Sequence, residues 1–211
     1  MFLTVRSSGS YRSPLMNRRL TQRGKDRRRQ LMDFAAHRFA ENGYHPTPVA
    51  EIVQGLGVGK GVFYWYFSSK EELMLEILRE AQTDLRRRQQ QAIGDEPDPV
   101  RRIELGIRAS LAWFDEHRHL FNLFQFAATE ERFAAAMRRG QDVAVADTVR
   151  HVKEGIVEGR IRDLDPFVLS HAVLGVTGHL AREFVGEQSQ SVDDVAEAAV
   201  AFCLGGLLGG K

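Results

Sequence analysis

Residues suited to contact with a polyanion are concentrated in one short stretch of the chain. Lys60 is followed by Tyr64, Trp65 and Tyr66, within an unbroken aromatic run over residues 63–67. Neighbouring residues of a helix point about 100° apart, so the five rings cannot all face a core. An ammonium group, phenol hydroxyls and an indole N–H are donors for phosphate oxygens and base edges. The run predicts an exposed binding surface, with an aromatic core cluster as the alternative.

The elements around this run predict a helix-turn-helix between residues 47 and 67. Thr47 and Pro48 form a good helix start, with threonine as N-cap and proline at the first helical position. The first helix is predicted over residues 48–56, the turn at Gly57-Val58-Gly59, and the second helix over residues 60–66. Two short helices joined by a tight glycine-containing turn can place the second helix in the major groove of DNA.

Helical periodicity covers nearly all of the remaining chain. One helix is predicted over residues 25–42, ending at Gly43, and another over residues 69–91, after two overlapping capping boxes (Ser68 with Glu71, Ser69 with Glu72). Gly94 to Pro99 is the clearest linker. Five further helices are predicted over residues 99–117, 119–126, 129–158, 166–185 and 192–208. With no alternating strand pattern, the predicted class is all-α with about nine helices.

Charge is distributed unevenly along the chain. Residues 1–91 carry 16 Lys and Arg against 9 Asp and Glu, whereas residues 92–211 carry 13 against 19. The basic excess lies in residues 1–30, because residues 31–91 have a net charge of −1. This favours a nucleic-acid partner only weakly, since a solvated basic tail gives the same pattern. Residues 1–24 lack periodicity, and we interpret them as a disordered basic arm.

The motifs of residues 43–73 resemble the amino-terminal domain of the TetR (tetracycline-repressor) family. The matching residues are Gly43-Tyr44, Thr47, Val49, Ile52 and the segment GVGKGVFYWYFSSKEEL at 57–73. The match spans about residues 27–78, and the carboxy-terminal half agrees only in helix number and length. The resemblance implies a DNA-binding domain over residues 25–91, with residues 69–91 as the connecting helix. It also implies an effector-binding and dimerisation domain over residues 92–211.

The resemblance also implies roles for single residues. Thr47 caps the first helix and touches a phosphate, and Tyr64 reaches a phosphate through its hydroxyl. Trp65 takes the variable base-facing position, and Tyr66 stands where the family often has a phosphate-contacting histidine. Phe63 and Phe67 are core residues. The predicted DNA-contacting set is Thr47, Lys60, Gly61, Val62, Tyr64, Trp65, Tyr66 and Lys70, the last at a helix start against the backbone.

Three departures from the family pattern affect this interface. Pro48 replaces a threonine, and Gly59 replaces a serine that would cap the recognition helix. Val62 replaces a threonine, which removes one hydroxyl but offers a methyl surface to thymine. We expect these changes either to lower the affinity or to shift contacts to the basic arm. The cations of the arm can track phosphates or enter the minor groove, and the alternative is a solvated tail that adds only non-specific attraction. These cations are Arg18, Arg19, Arg23, Lys25, Arg27, Arg28 and Arg29.

Two further sites are predicted in the acidic half. Six aromatic residues lie within a 21-residue stretch of the part of the chain where the family encloses a small-molecule pocket. A pocket lined by these rings would suit a hydrophobic or aromatic effector. The alternative is that the rings are ordinary core residues. The candidates are Trp113, Phe114, Phe121, Phe124, Phe126 and Phe133. The last two helices are the predicted interface of a homodimer, the alternative being a monomer core. The candidates there are Leu174, Gly175, Gly178, Phe202 and Leu204.

The sequence contains few signals of catalysis, cofactor binding or metal binding. No nucleophile–base constellation, P-loop or dinucleotide fingerprint occurs, so we predict that the chain is not an enzyme and binds no cofactor. His117 and His119 form a surface pair rather than a metal site. A single cysteine, Cys203, and the lack of an export signal or membrane span predict a cytoplasmic protein. The favoured function is a ligand-responsive repressor binding a palindromic operator as a dimer. The alternative is a helical adaptor that binds a protein through residues 63–67.

Overall fold

The computed structural model describes residues 20–187 and 190–208. Within these ranges the chain forms nine α-helices and no strand, so the predicted all-α class is confirmed. The helices are α1 (Gln22–Asn42), α2 (Val49–Gly55), α3 (Lys60–Tyr66), α4 (Lys70–Ile93), α5 (Pro99–Glu116), α6 (Leu120–Thr129), α7 (Glu131–Val157), α8 (Pro166–Leu180) and α9 (Val192–Leu207).

Helix ends follow the local capping chemistry. The helix α1 begins three residues before its predicted start, because the Thr21 hydroxyl accepts a hydrogen bond from the Gly24 N–H at 3.2 Å. At the start of α4 the Ser69 hydroxyl accepts from the Glu72 N–H, and the Glu72 carboxylate accepts from the Ser68 N–H at 2.6 Å. Of the predicted capping box between Ser69 and Glu72, the structure therefore forms the bond to the Ser69 hydroxyl, while the Glu72 carboxylate binds Ser68 instead of the Ser69 N–H.

The predicted helix over residues 166–185 is only partly correct. The α-helical hydrogen bonding of α8 ends at Leu180, and a π-helical segment, Ala181–Glu187, continues the chain. Ala181 and Val185 of this segment are fully buried. Gly186 lies so close to the ring of Phe121 that an added Cβ would be 2.9 Å from it. The wider helix turn therefore coincides with close packing against α6.

The first three helices enclose a small core on which α4 rests. Leu31 of α1, Ile52 of α2 and Phe63 of α3 are inaccessible to solvent. The helices α1 and α2 approach so closely that a Cβ on Gly55 would lie 2.1 Å from the ring of Phe34. This contact leaves room for no side chain larger than that of glycine at position 55.

The same buried cluster continues across the predicted boundary at residue 92. Leu73 and Met74 of α4, Trp113 of α5 and Phe133 of α7 belong to the cluster that also contains Phe39 of α1. A second cluster is built around α5 and α9, and it includes Leu111, Val152, Val185 and Ala199. The amino-terminal helices and the start of the carboxy-terminal part therefore share one core. No helix among the described residues has the length and hydropathy needed to cross a membrane.

Candidate nucleic-acid interface

The turn between α2 and α3 depends on one glycine. Gly57 adopts a positive φ of 64°, a conformation that L side chains rarely adopt. The turn is held by hydrogen bonds from the Gly57 N–H to the Gln54 carbonyl at 3.0 Å and from the Val58 N–H to the Val53 carbonyl at 2.9 Å. The predicted helix-turn-helix is therefore present, with α3 as its second helix.

The aromatic run divides between core and surface, as the helical geometry requires. Phe63 and Phe67 are 0% and 1% exposed, which confirms them as core residues. Tyr64 is 52% exposed and Trp65 is 43% exposed, and Tyr66 is half-buried with its ring edge-to-face against Trp65. The outward side of α3 therefore presents a phenol and an indole to solvent.

The remaining predicted residues of α3 lie on or beside this outward side. Lys60 and Gly61 are exposed, and Val62 is half-buried. An added Cβ on Gly61 would meet no heavy atom within 4 Å, so the surface is open at this position. The structure brings all six predicted α3 positions together on one short helix.

The amino-terminal turn of α1 runs alongside α3. A shallow groove lies between the two helices, lined by Thr21, Arg23, Gly24, Arg27, Gly61, Val62, Trp65 and Tyr66. The first turn of a helix carries free N–H groups and partial positive charge, and here two arginines add to it. This groove has the chemistry of a phosphate-binding surface.

The predicted basic arm is only partly available to a polyanion. Arg18 and Arg19 lie outside the described residues. Arg28 forms an ion pair with Glu76 and lies 3.7 Å from Glu80, while Arg29 lies 3.7 Å from the same Glu80 carboxylate. Arg28 therefore links α1 to α4, and contact of its guanidinium with a phosphate would require it to leave these carboxylates.

The prediction that Thr47 caps the first helix of the motif is wrong. The N-cap of α2 is Pro48, and no side chain caps the helix. Thr47 is fully buried, and its hydroxyl donates to the Gly43 carbonyl at 2.8 Å, beyond the end of α1. This bond holds the hydroxyl at the end of α1, where its oxygen does not accept from the free N–H groups of α2. The side chain is not presented to DNA.

The ammonium group of Lys70 also binds other parts of the protein instead of lying free on its surface. It donates to the carbonyls of Tyr44 at 2.8 Å, Thr47 at 3.0 Å and His45 at 3.3 Å. The same group lies 4.4 Å from the centre of the Tyr44 ring. Burial, together with the charge of Arg132, lowers the pKa of Lys70. The predicted position at a helix start is correct, but the ammonium secures the loop before α2 and does not face the exposed side of α3.

Gly59 leaves the recognition helix without a side-chain cap, and serine should correct this. Gly59 has φ −78° and ψ 155°, and an added Cβ would meet nothing within 4 Å. We expect Gly59→Ser to raise the free energy of unfolding by about 0.5–1 kcal/mol, through a new cap and a less flexible unfolded chain. Urea denaturation followed by circular dichroism measures this change.

The neighbouring glycine of the turn provides the control. Gly57→Ser adds the same side chain at φ +64°, where it should lower the free energy of unfolding by about 1–2 kcal/mol. Equal effects of the two substitutions would show that the capping explanation is incorrect.

The predicted aromatic pocket residues are packed against one another. Trp113 and Phe133 are 1% and 0% exposed, and the indole N–H of Trp113 donates to Asp84 at 2.7 Å. Phe114 stacks on Phe121 with ring centres 4.8 Å apart. Phe124 and Phe126 are half-buried, with further rings as neighbours. Spacing along the sequence cannot distinguish rings that line a cavity from rings that fill a core.

A cavity of about 450 Å³ lies instead between α4, α5, α7 and α8. None of the six predicted aromatic residues lines it. Its apolar wall includes Ile103, Ile107 and Val173, and its polar wall includes Gln89 and His151. Sequence analysis missed these residues because they come from four helices and share no motif.

The helices α8 and α9 expose an apolar face. Phe202 is 70% exposed, and Phe167 and Val168 are 54% and 64% exposed. Gly175 and Gly178 are exposed, while Leu174 and Leu204 are half-buried. Nothing lies within 4 Å of an added Cβ on either glycine. The five predicted interface residues are thus on or beside a surface that allows close approach of another helix.

Comparison with known sequences agrees with this geometry. Residues 31–77 match the model of the bacterial regulatory proteins, tetR family. The chain is 28% identical to the HTH-type transcriptional repressor KstR2 of Mycobacterium tuberculosis, over 86% of this chain and 92% of the relative. It is 27% identical to the HTH-type transcriptional activator FasR of Mycolicibacterium smegmatis, over 97% and 94% of the two chains.

Solved structures share the arrangement of helices. The ketosteroid transcriptional regulator KstR2 of Mycobacterium tuberculosis has a TM-score of 0.71 at 27% identity, covering 87% of this chain and 96% of that chain. Together, the helix-turn-helix, the exposed face of α3 and the similarity to this regulator along most of both chains agree with the match of residues 31–77 to the tetR family of bacterial regulatory proteins.

Proposed function

We propose that the protein is a transcriptional repressor that binds operator DNA as a homodimer and is released by a small molecule. The observation that carries this proposal is the outward side of α3, where Lys60, Tyr64 and Trp65 are exposed beside Arg23 and Arg27. A helix of seven residues contacts few base pairs, so most of the affinity must come from phosphates and from a second copy. We favour repression because KstR2, named as a repressor, resembles this chain in both sequence and structure.

The apolar face of α8 and α9 is the surface we propose for dimerisation. A monomer that kept Phe202, Phe167 and Val168 exposed would present a large apolar patch to water. Two such faces related by a twofold axis would form a four-helix interface and place two copies of α3 on one side of the dimer. A palindromic operator with half-sites about 34–36 Å apart matches that symmetry.

The helix α4 is the element we propose for communication between the two sites. Its first turns carry Leu73 and Met74 into the core beneath α3. Its last turns carry Arg86, Gln89 and Ile93 into the wall of the cavity. A molecule that binds better to a changed position of α4 would alter the spacing of the two recognition helices, and DNA would weaken its binding by the same factor.

These assignments divide the chain into regions with different proposed functions. We propose that residues 25–91 bind DNA and that residues 92–211 bind the effector and form the dimer, with residues 1–24 as a basic arm. Only residues 20–24 of that arm are among those described. A regulator that binds operator DNA acts where bacterial DNA lies, so we propose a cytoplasmic location.

Fluorescence anisotropy with DNA from the region upstream of the protein's own gene tests the proposal. The wild type should bind with an affinity that falls as salt rises, since phosphate contacts release counterions. Tyr64→Ala should weaken binding at least about tenfold with an unchanged circular dichroism spectrum, because each copy loses a contact to a charged group. Tyr64→Phe, which loses only the hydroxyl, should lie between the two.

Two other outcomes would contradict the proposed function. Binding of a protein but of no DNA would favour the adaptor function for residues 63–67. DNA binding that is indifferent to Tyr64→Ala would exclude α3 as the recognition helix.

A further inference from the structure

The cavity between α4, α5, α7 and α8 contains a polar group that the protein leaves unpaired. His151 of α7 lines the cavity and is 8% exposed. Its Nδ1 is buried, and the described residues provide no hydrogen-bond partner for it. Most buried polar groups in folded proteins are paired, so an imidazole nitrogen without a partner requires an explanation.

The hydroxyl groups that line the cavity are already satisfied. Ser110 donates to the Gly106 carbonyl at 2.6 Å and accepts from Gln89 at 2.8 Å. Thr148 and Thr177 each donate to a carbonyl of their own helix, at 2.9 and 2.8 Å. Among these residues His151 is therefore the one whose hydrogen-bonding capacity the fold leaves unused.

The charges around the cavity are paired among themselves. Arg86 binds Asp147 at 2.6 Å, and Arg150 lies 3.9 Å from the same carboxylate. Arg102 pairs with Glu154 and donates to the Glu96 carbonyl at 2.6 Å. A charged ligand group would therefore have to compete with protein groups for Arg86 and Arg102, and burial of an unpaired charge is strongly unfavourable.

The imidazole itself is kept uncharged. Burial lowers the pKa of His151, and the positive charges of Arg150 and Arg102 lower it further, although Glu154 and Asp147 act in the opposite direction. A neutral imidazole offers either an N–H or a lone pair at Nδ1, depending on its tautomer. A neutral oxygen on a ligand can satisfy it, and a hydroxyl oxygen suits both tautomers.

We propose that this cavity binds an uncharged molecule with an apolar body and one hydroxyl or carbonyl oxygen, which pairs with His151. The inference deepens the proposed function, because it assumes that this cavity is the effector site. The apolar body would lie against Ile103, Ile107, Val173 and Leu174, which line the cavity from α5 and α8.

Calorimetry on the full chain without DNA tests the proposal with three probes that share one carbon skeleton: 1-octanol, octanoate and octylammonium. Octanol should bind at least about tenfold more tightly than either ion. His151→Leu should weaken octanol binding about fivefold or more. His151→Asn, whose amide lies near the position of Nδ1, should keep the affinity within about threefold of the wild type.

A cavity-filling variant tests whether octanol binds in this cavity. An added Cβ on Gly106 would meet only Ile93, at 4.0 Å, so Gly106→Leu should fold and place its side chain in the cavity. It should abolish octanol binding, and thermal melting checks that each variant is folded.

Three results would overturn the proposal: an ion that binds as tightly as octanol, no octanol binding, or equal octanol affinity in His151→Leu and the wild type. If the proposed function itself were wrong, the experiments would give a different result. Octanol would then bind through His151 but leave the affinity for DNA unchanged, or the protein would not bind DNA at all.

Discussion

Replacing Phe202 with glutamate should leave the protein monomeric and lower its affinity for DNA with two half-sites by about a hundredfold or more. Phe202 is 70% exposed on α9, and Gly175 and Gly178 are exposed on α8. A carboxylate buried without a partner between two copies would oppose association. Without the dimer the second half-site is no longer bound intramolecularly, and avidity of about 10²–10⁴ is lost. Sedimentation velocity and anisotropy on the same samples measure both effects.

Val143 provides a matched control for this substitution. It is 41% exposed on α7, so Val143→Glu adds the same charge at another exposed apolar position. This variant should stay dimeric with unchanged affinity for DNA. If Phe202→Glu also remained dimeric, the face of α8 and α9 would not be the interface, and a different surface would have to pair the two recognition helices.

Lys70→Met should lower the free energy of unfolding by about 2–3 kcal/mol. The change removes one ammonium group that donates to three carbonyls, those of Tyr44, His45 and Thr47. Hydrogen bonds from charged groups are among the stronger ones, and buried carbonyls left without a donor add to the loss. Urea denaturation measures the change, and the loop before α2 should become more accessible to protease.

Lys60→Met distinguishes this structural role from contact with DNA. Lys60 is exposed at the start of α3, so its loss should change stability by no more than about 0.5 kcal/mol while lowering affinity for DNA and the dependence of binding on salt. If Lys70→Met instead left stability unchanged and reduced the salt dependence, its ammonium would contact phosphate, as the family resemblance implies.

The local elements of the fold could be predicted from the sequence because their causes are local. Gly57 at the turn, Ser69 before α4 and Pro99 at the start of α5 all act through residues within one helical turn. The division of the aromatic run was predictable for the same reason, since helix geometry alone prevents Tyr64 and Phe63 from facing the same way.

The errors arose where distant partners compete for a side chain. Thr47 is a good N-cap by type, but its hydroxyl is turned towards the end of α1, where it donates to the Gly43 carbonyl. The acceptors of Lys70 lie 23 to 26 residues away in sequence, and no motif indicates them. The cavity was missed for a similar reason, because whether a helix face is filled or hollow depends on all four helices that meet there.

Because the core is continuous, the two halves of the chain cannot be exchanged independently of each other during evolution. Phe39 of α1 and Ile52 of the helix-turn-helix belong to the same buried cluster as Trp113, Leu120 and Phe133. A chimera joined at residue 92 would therefore exchange half of a packed interior, not a self-sufficient module. We expect the two halves to unfold as one cooperative unit and to acquire new specificities together, through matched substitutions on both sides of the junction.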